Sequence, residues 1–169
     1  MTRPRAGGAD QPSKPRSIVV ATEGWWDKDP AIDHAVRLAN GENITIHLVA
    51  RASVPLPIGT TEMRHAQYDR LVERAVTNKI AELTVMVEGL QRLNIDARAH
   101  VRLGDSALII REIANAVHAD LILIACPAPT RRRAHRLQRG LVDLLVGTSV
   151  PVLVVPPSPP RGDGGTPGR

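Results

Sequence analysis

Phenylalanine is missing from this 169-residue chain, tyrosine occurs once (Tyr68), and the two tryptophans are adjacent, Trp25 and Trp26. An aromatic core is thereby excluded, and Val, Ile, Leu and Ala must fill the interior. The single cysteine, Cys126, rules out an intramolecular disulfide and fits a reducing compartment. No apolar run approaches the roughly 20 residues of a membrane-spanning helix, and the amino terminus lacks the apolar stretch of a secretory signal. The expectation is a soluble cytoplasmic protein with no membrane partner, built as one domain because the length suits one proper core.

A broad basic face is also lacking, despite a net charge of +5. Arg3, Arg5, Lys14 and Arg16 against Asp10, with Arg161 and Arg169 against Asp163, account for four of those five charges, and all lie near the termini. A nucleic-acid partner is therefore not expected. Residues 1–16 are rich in Pro, Gly and charge and read as a disordered basic arm. Residues 17–157 form the folded domain, and 158–169 form a disordered Pro/Gly-rich tail. The six histidines are dispersed, with no spacing that suggests a metal site.

What remains is a regular alternation. Ile18 to Thr22 is an unbroken strand run ending at Glu23-Gly24. Asp29-Pro30 then reads as an N-cap and first helical residue, with Ile32, Ala35, Val36 and Ala39 on one face and Asn40-Gly41 as the stop. Ile44 to Ala50 gives a second strand. The connection from Arg51 to about His65 carries Pro55, Pro57 and Gly59, has no period of its own, and reads as a lid over a site. Leu71, Val72, Ala75, Val76, Ile80, Leu83, Val87 and Leu90 mark a helix of about six turns, with Tyr68 as packing or cover.

From Ile95 to Leu103 the apolar residues alternate with Asp96, Arg98, His100 and Arg102, so this strand has a wet face and belongs at a sheet edge. Gly104-Asp105-Ser106 opens a third helix with Ile109, Ile110, Ile113, Ala114 and Val117 inward. Leu121 to Ile124 is a strand covered on both faces. Leu137, Leu141, Leu144 and Leu145 predict a fourth helix stopped by Gly147, and Val152 to Val155 is the last strand. This order gives an α/β fold, a five-stranded parallel doubly wound sheet of order 3-2-1-4-5 with helices on both faces.

In that order the switch point lies between strands one and four, where ligands of such sheets bind. Thr22, Glu23 and Trp25 would face the loop from Ala125 onward, which carries five arginines, Arg131, Arg132, Arg133, Arg136 and Arg139. Arginine forks pair bidentately with phosphate, and cations at a helix start are disfavoured unless an anion compensates. An anionic small molecule or an acidic protein is the partner this implies, the alternative being a solvated loop. Trp25 or Trp26 either stacks on a planar ligand or fills its pocket. Cys126 is near enough to these arginines for thiolate stabilisation, against the plainer reading of a small strand-end hydrophobe.

The first strand ending in Ala-Thr-Glu-Gly, Val-Arg-Leu-Gly-Asp at 101–105, His-Ala-Asp-Leu-Ile-Leu-Ile at 118–124 and Val-Pro-Val-Leu-Val-Val at 150–155 together resemble the universal stress protein family. The resemblance implies the same fold, a role in stress or regulatory signalling without established catalysis, and a homodimer built on the final strand. It also implies ATP binding through a Gly-x-x-Gly run spaced from a Gly-Ser or Gly-Thr pair. Here those four positions are Ala125, Ala128, Gln138 and Arg139, and all differ. The family's adenine-side aspartate corresponds to Glu23 and its apolar adenine contact to Val49. Glycine lets a phosphate reach bare backbone N–H groups, and side chains at those positions obstruct it. Ordinary ATP cradling is therefore not expected, and no cofactor is assigned.

A physical argument also favours the dimer. Val152, Leu153, Val154 and Val155 form an apolar strand at the sheet's second edge, where each covered side chain gains about 1.5–3 kcal/mol. The reading is a non-enzymatic regulatory or binding protein of the stress-protein type with the glycine motif lost. The alternative is a divergent nucleotide or anion binder using Glu23, Val49 and the arginine loop 131–139. An enzyme ranks last: neither a His-x-Gly-His nor a Ser-Gly-Gly-x-Asp-Ser run occurs, and no nucleophile–base pair is evident.

Overall fold

Unbroken aliphatic runs become parallel strands here because both of their faces are covered by helices. The computed structural model describes residues 15–22, 29–54, 61–126 and 140–156, with the side chains of 61–66 not included. The elements are β1 (Ser17–Ala21), α1 (Pro30–Ala39), β2 (Thr45–Arg51), α2 (Thr61–Arg92), β3 (Asp96–Arg102), α3 (Ser106–Ala116) and β4 (Leu121–Ala125), then helical residues 140–147 and β5 (Val152–Val155). Every strand pairing is parallel and the order is β3-β2-β1-β4-β5, the sheet the alternation predicts. The arm and tail expected at 1–16 and 158–169 lie outside the described residues, apart from 15 and 16.

Residues alternate between two cores. Ile18, Val20, Ile46, Leu48, Ala97 and Leu123 meet α1 and α2 on one face. Val19, Val49, Ile122 and Ile124 meet α3 and Leu144 on the other. Asp29 caps α1, its carboxylate accepting from Ala31 N–H at 3.0 Å with Pro30 next, and Asp105 caps α3 by accepting from Leu108 N–H at 3.0 Å. Each such cap contributes about 1 kcal/mol. Gly104, at φ 124°, turns the chain from β3 into α3 through a conformation that side-chain-bearing residues rarely adopt. At the amino-terminal edge Asp120 accepts from the backbone N–H of Arg16 at 2.7 Å and of Ser17 at 3.1 Å, fixing where β1 meets β4.

Three expectations need correction. The connection after β2 is shorter than predicted, because α2 begins at Thr61 and runs 32 residues rather than about six turns. Residues 61–70 lack an apolar period, but they also lack Gly and Pro, so they can extend a helix that is nucleated and packed further along. The lid assigned to 51–65 is thus partly helix, and residues 55–60 fall outside the described residues. The apolar stripe of α2 is only partly core: Leu83 and Leu90 are fully buried and Met86, absent from the predicted stripe, joins them, whereas Ile80 is 48% exposed. A helix of this length spans roughly 48 Å and a seven-residue strand roughly 23 Å, so only the carboxyl-terminal half of α2 has sheet to cover.

The other two corrections are local. Of the leucines that mark the fourth helix, Leu144 is fully buried and Leu145 is 51% exposed, so they do not share one packing face. Leu103, expected on the covered face of the edge strand, lies past its end and is 43% exposed. Of the expected wet face, Asp96, Arg98 and Arg102 are exposed and His100 is half-buried, while Ala99, expected on the covered face, is exposed.

Candidate functional site

β1 and β4 are neighbours, with β2 and β5 on their outer sides, so the carboxyl edge between them is the switch point of the sheet, where ligands of such folds bind. Register places the predicted crevice residues there. Ala21 pairs with both Val49 and Ile124, and Ala125 pairs with Val155. Thr22 follows β1, is 7% exposed, and donates its N–H to Val49 O at 2.9 Å. Val49 reaches the same edge, but its side chain is 3% exposed and belongs to the α3-side core. Glu23, Trp25, Trp26, Ala128, Arg131, Arg132, Arg133, Arg136, Gln138 and Arg139 lie outside the described residues.

Asp29, which the sequence marks only as the cap of α1, also bonds the side chain of Thr22 just past β1. It is 8% exposed, and burial pushes its carboxyl above the ordinary 3.8, against the lowering effect of its bonds with Thr22 and the backbone of Ala31 and Ile32. The folded chain therefore holds a proton on Asp29 more tightly than the unfolded chain does. Its contribution to stability is greatest at acid pH and is lost as pH rises through the raised folded value. Asp29→Asn keeps an acceptor for Ala31 and a partner for Thr22 but carries no charge. It is expected to be more stable than the wild type at neutral pH, with the difference vanishing below about pH 3.8. Asp29→Ala, lacking the cap, should fall about 1 kcal/mol below Asp29→Asn. Urea unfolding at several pH values measures both.

Cys126 is half-buried at the end of β4, and its N–H donates to Val155 O at 2.7 Å, which carries the β4–β5 ladder one residue past Ala125. A depression lined by Gln67, Arg70, Leu71, Glu73, Arg74, Thr77 and Asn78 runs along the amino-terminal half of α2; none of Thr22, Val49 or Ala125 lines it. Among the described residues no group of three or more His, Cys, Asp or Glu side chains could hold a metal ion. No helix among them is long and apolar enough to cross a membrane.

One pair was invisible in the sequence. His47 on β2 and His100 on β3 place Nδ1 and Nε2 3.0 Å apart, with ring centroids 5.2 Å apart. Both imidazoles are held below the ordinary 6.5, chiefly by burial, then by each other for His47 and by Arg102 for His100, with Arg98 adding to both. Dispersed in sequence, the two histidines give no spacing signal, and only the β2–β3 register joins them.

The profile of the universal stress protein family matches residues 15–156. The chain belongs to the universal stress protein family. Solved structures agree on the fold of this universal stress protein. The universal stress protein UspA from Lactobacillus plantarum superposes with a TM-score of 0.60 at 14% identity, covering 82% of this chain and 96% of that one. A universal stress protein in complex with cAMP gives a TM-score of 0.54 at 18% identity, covering 86% and 100%. One from Archaeoglobus fulgidus DSM 4304 gives 0.59 at 17% identity, covering 84% of this chain and 44% of that one. Comparison with curated proteins returned no match.

Proposed function

We propose that this universal stress protein acts as a non-enzymatic, homodimeric regulatory or binding protein whose β1–β4 crevice has lost ordinary ATP cradling. The observation that carries the reading is the end of β4. At Ala125, the position of the first motif glycine, the chain is still paired in the sheet, and the next backbone donor, Cys126 N–H, is bonded to Val155 O. A phosphate seated there would meet a Cβ and a donor already in use, where the family motif offers bare, free N–H groups. Thr22 and Asp29 support the non-catalytic part. Their side chains bond each other and the α1 cap, which fits a structural role better than that of nucleophile and base.

The second reading, a divergent nucleotide or anion binder using Glu23 and the arginine loop 131–139, draws support from the cAMP complex of a structural relative. Calorimetric titration with ATP, ADP and cAMP separates the two. The first reading expects no heat of binding in the micromolar range for ATP. A micromolar ATP affinity would overturn it. Binding of cAMP without ATP, abolished by Arg131→Ala with Arg132→Ala, would favour the second.

The dimer would form on β5, the sheet's outer strand. Leu153 is 38% exposed there, and the helical residues just before it leave Val142 51%, Leu145 51% and Val146 84% exposed. Leu153 lies on the α1-side face and the helix on the α3-side face, so a second copy related by a two-fold axis and paired along the β5 edge would cover apolar residues on both sides of the sheet.

A further inference from the structure

At the opposite margin of the sheet, β2 and β3 pair residue by residue, and their α3-side face carries a run of cationic groups. Arg51 stands directly opposite Arg102, His47 opposite Arg98, and His100 opposite Val49. Directly paired residues of neighbouring strands are only about 4.8 Å apart, and like charges so placed are destabilising. Arg51, Arg98 and Arg102 are all exposed. None is in an ion pair among the described residues, where the pairs are Lys79 with Glu82 and Arg92 with Glu88. Arg102 donates to the neighbouring Val101 carbonyl. The acid of this face, Asp96, accepts from Thr45 Oγ1 at 2.9 Å, two positions along the ladder from His47, where its charge partly opposes that of the arginines. On β1 the same face presents Ser17, Val19 and Ala21, and α3, packed above it, carries Arg111 and Glu112. The guanidinium of Arg111 lies over Gly147, so close that a Cβ there would strike it.

Between the arginines sits the His47–His100 pair. A 3.0 Å approach of two imidazole nitrogens accommodates one proton, one ring donating and the other accepting. Protonating both rings sets two N–H donors against each other beside Arg98 and Arg102. An anion over this face would reverse that balance, because its charge offsets the arginines and it can accept the extra N–H.

We propose that the α3-side face of the β2–β3 ladder is a binding site for a phosphate-type oxyanion, gripped by Arg51 and Arg102 with Arg98 in reserve, and that binding is accompanied by proton uptake at the His47–His100 pair. The site uses residues on the side of β1 away from β4 and stands independently of what the crevice binds. Two predicted properties follow from its chemistry. Affinity falls with added salt, and it rises as pH falls through the range where histidine titrates.

The test follows the histidine ring-proton resonances during titration with inorganic pyrophosphate at low salt. The His47 and His100 signals should shift saturably, and Arg51→Ala with Arg102→Ala should weaken binding at least tenfold while thermal unfolding stays near wild type. Sulfate, whose charge is constant over the range, should bind several-fold more tightly at about pH 5.5 than at about pH 7.5. That pH dependence should disappear in His47→Gln with His100→Gln. Should the double histidine variant fail to fold, proton uptake can be measured on the wild type by calorimetry in buffers of different ionisation enthalpy. Absent shifts, affinity unchanged in the arginine variant, or binding without proton uptake would each overturn the proposal.

Discussion

Leu83→Ala is expected to lower the unfolding free energy by about 2–5 kcal/mol, whereas Ile80→Ala, three residues earlier on the same helix, should cost less than about 1 kcal/mol. Both residues fall on the apolar stripe of α2, and sequence periodicity ranks them alike. The structure separates them: Leu83 is fully buried in the core that α2 forms over β2 and β3, and Ile80 is 48% exposed. Removing Leu83 leaves a void bounded by strand residues that are themselves fixed by ladder hydrogen bonds, so little collapse can offset the lost contacts. Truncating Ile80 removes surface that water already reaches. Chemical denaturation of the two variants decides the matter. Equal losses would mean that the amino-terminal half of α2 is covered as fully as its carboxyl-terminal half.

That contrast marks where the sequence was legible. Strands β1, β4 and β5 could be read because aliphatic runs with no polar interruption have one stable use in a chain this size. The edge position of β3 could be read because Asp96, Arg98, His100 and Arg102 alternate with apolar residues. From those facts the right-handed crossover rule leaves few topologies. The extent of α2 was not legible, because its first turns have helix-compatible residues without an apolar face, and periodicity registers only the part that packs. Leu144 and Leu145 were not distinguished for a related reason. On a short helix several leucines compete for one face, and Leu144 takes it.

Of the candidate site, the meeting of two strand ends was legible. Thr22 and Ala125 do meet at one edge, since strand order alone determines which carboxyl ends are neighbours. The electrostatic features were not. Asp29 looks like any N-cap until its burial is known, and His47 and His100 become partners only through the register of two strands separated by the whole of α2. Pairwise chemistry across a parallel ladder leaves no trace in local spacing, because the crossover length is free to vary.

Leu153→Asp is the second substitution with a large expected effect, on association rather than folding. In a two-fold interface on β5 each chain contributes its own Leu153, so the change acts twice, replacing two apolar contacts with two carboxylates that must be desolvated. Only the 38% of Leu153 that is exposed remains to be covered, so of the roughly 1.5–3 kcal/mol for a whole side chain the two copies lose about 1–2 kcal/mol together before any repulsion, and the dissociation constant should rise by roughly tenfold or more. The monomer should remain folded, because Leu153 is 38% exposed and the β4–β5 ladder is held by backbone groups paired from Ile122 with Val152 to Ala125 with Val155. Leu93→Asp, placed beyond the end of α2 at 57% exposure, is the matched control and should leave association unchanged. Sedimentation velocity across a concentration series measures all three chains. A wild type that sediments as a monomer throughout, or a Leu153→Asp chain that remains dimeric, would place the self-association surface, if one exists, away from β5. The exposed valines of residues 140–147 would then need another cover, since a patch continuous from Val142 to Val146 beside an open strand edge is a liability for an isolated chain.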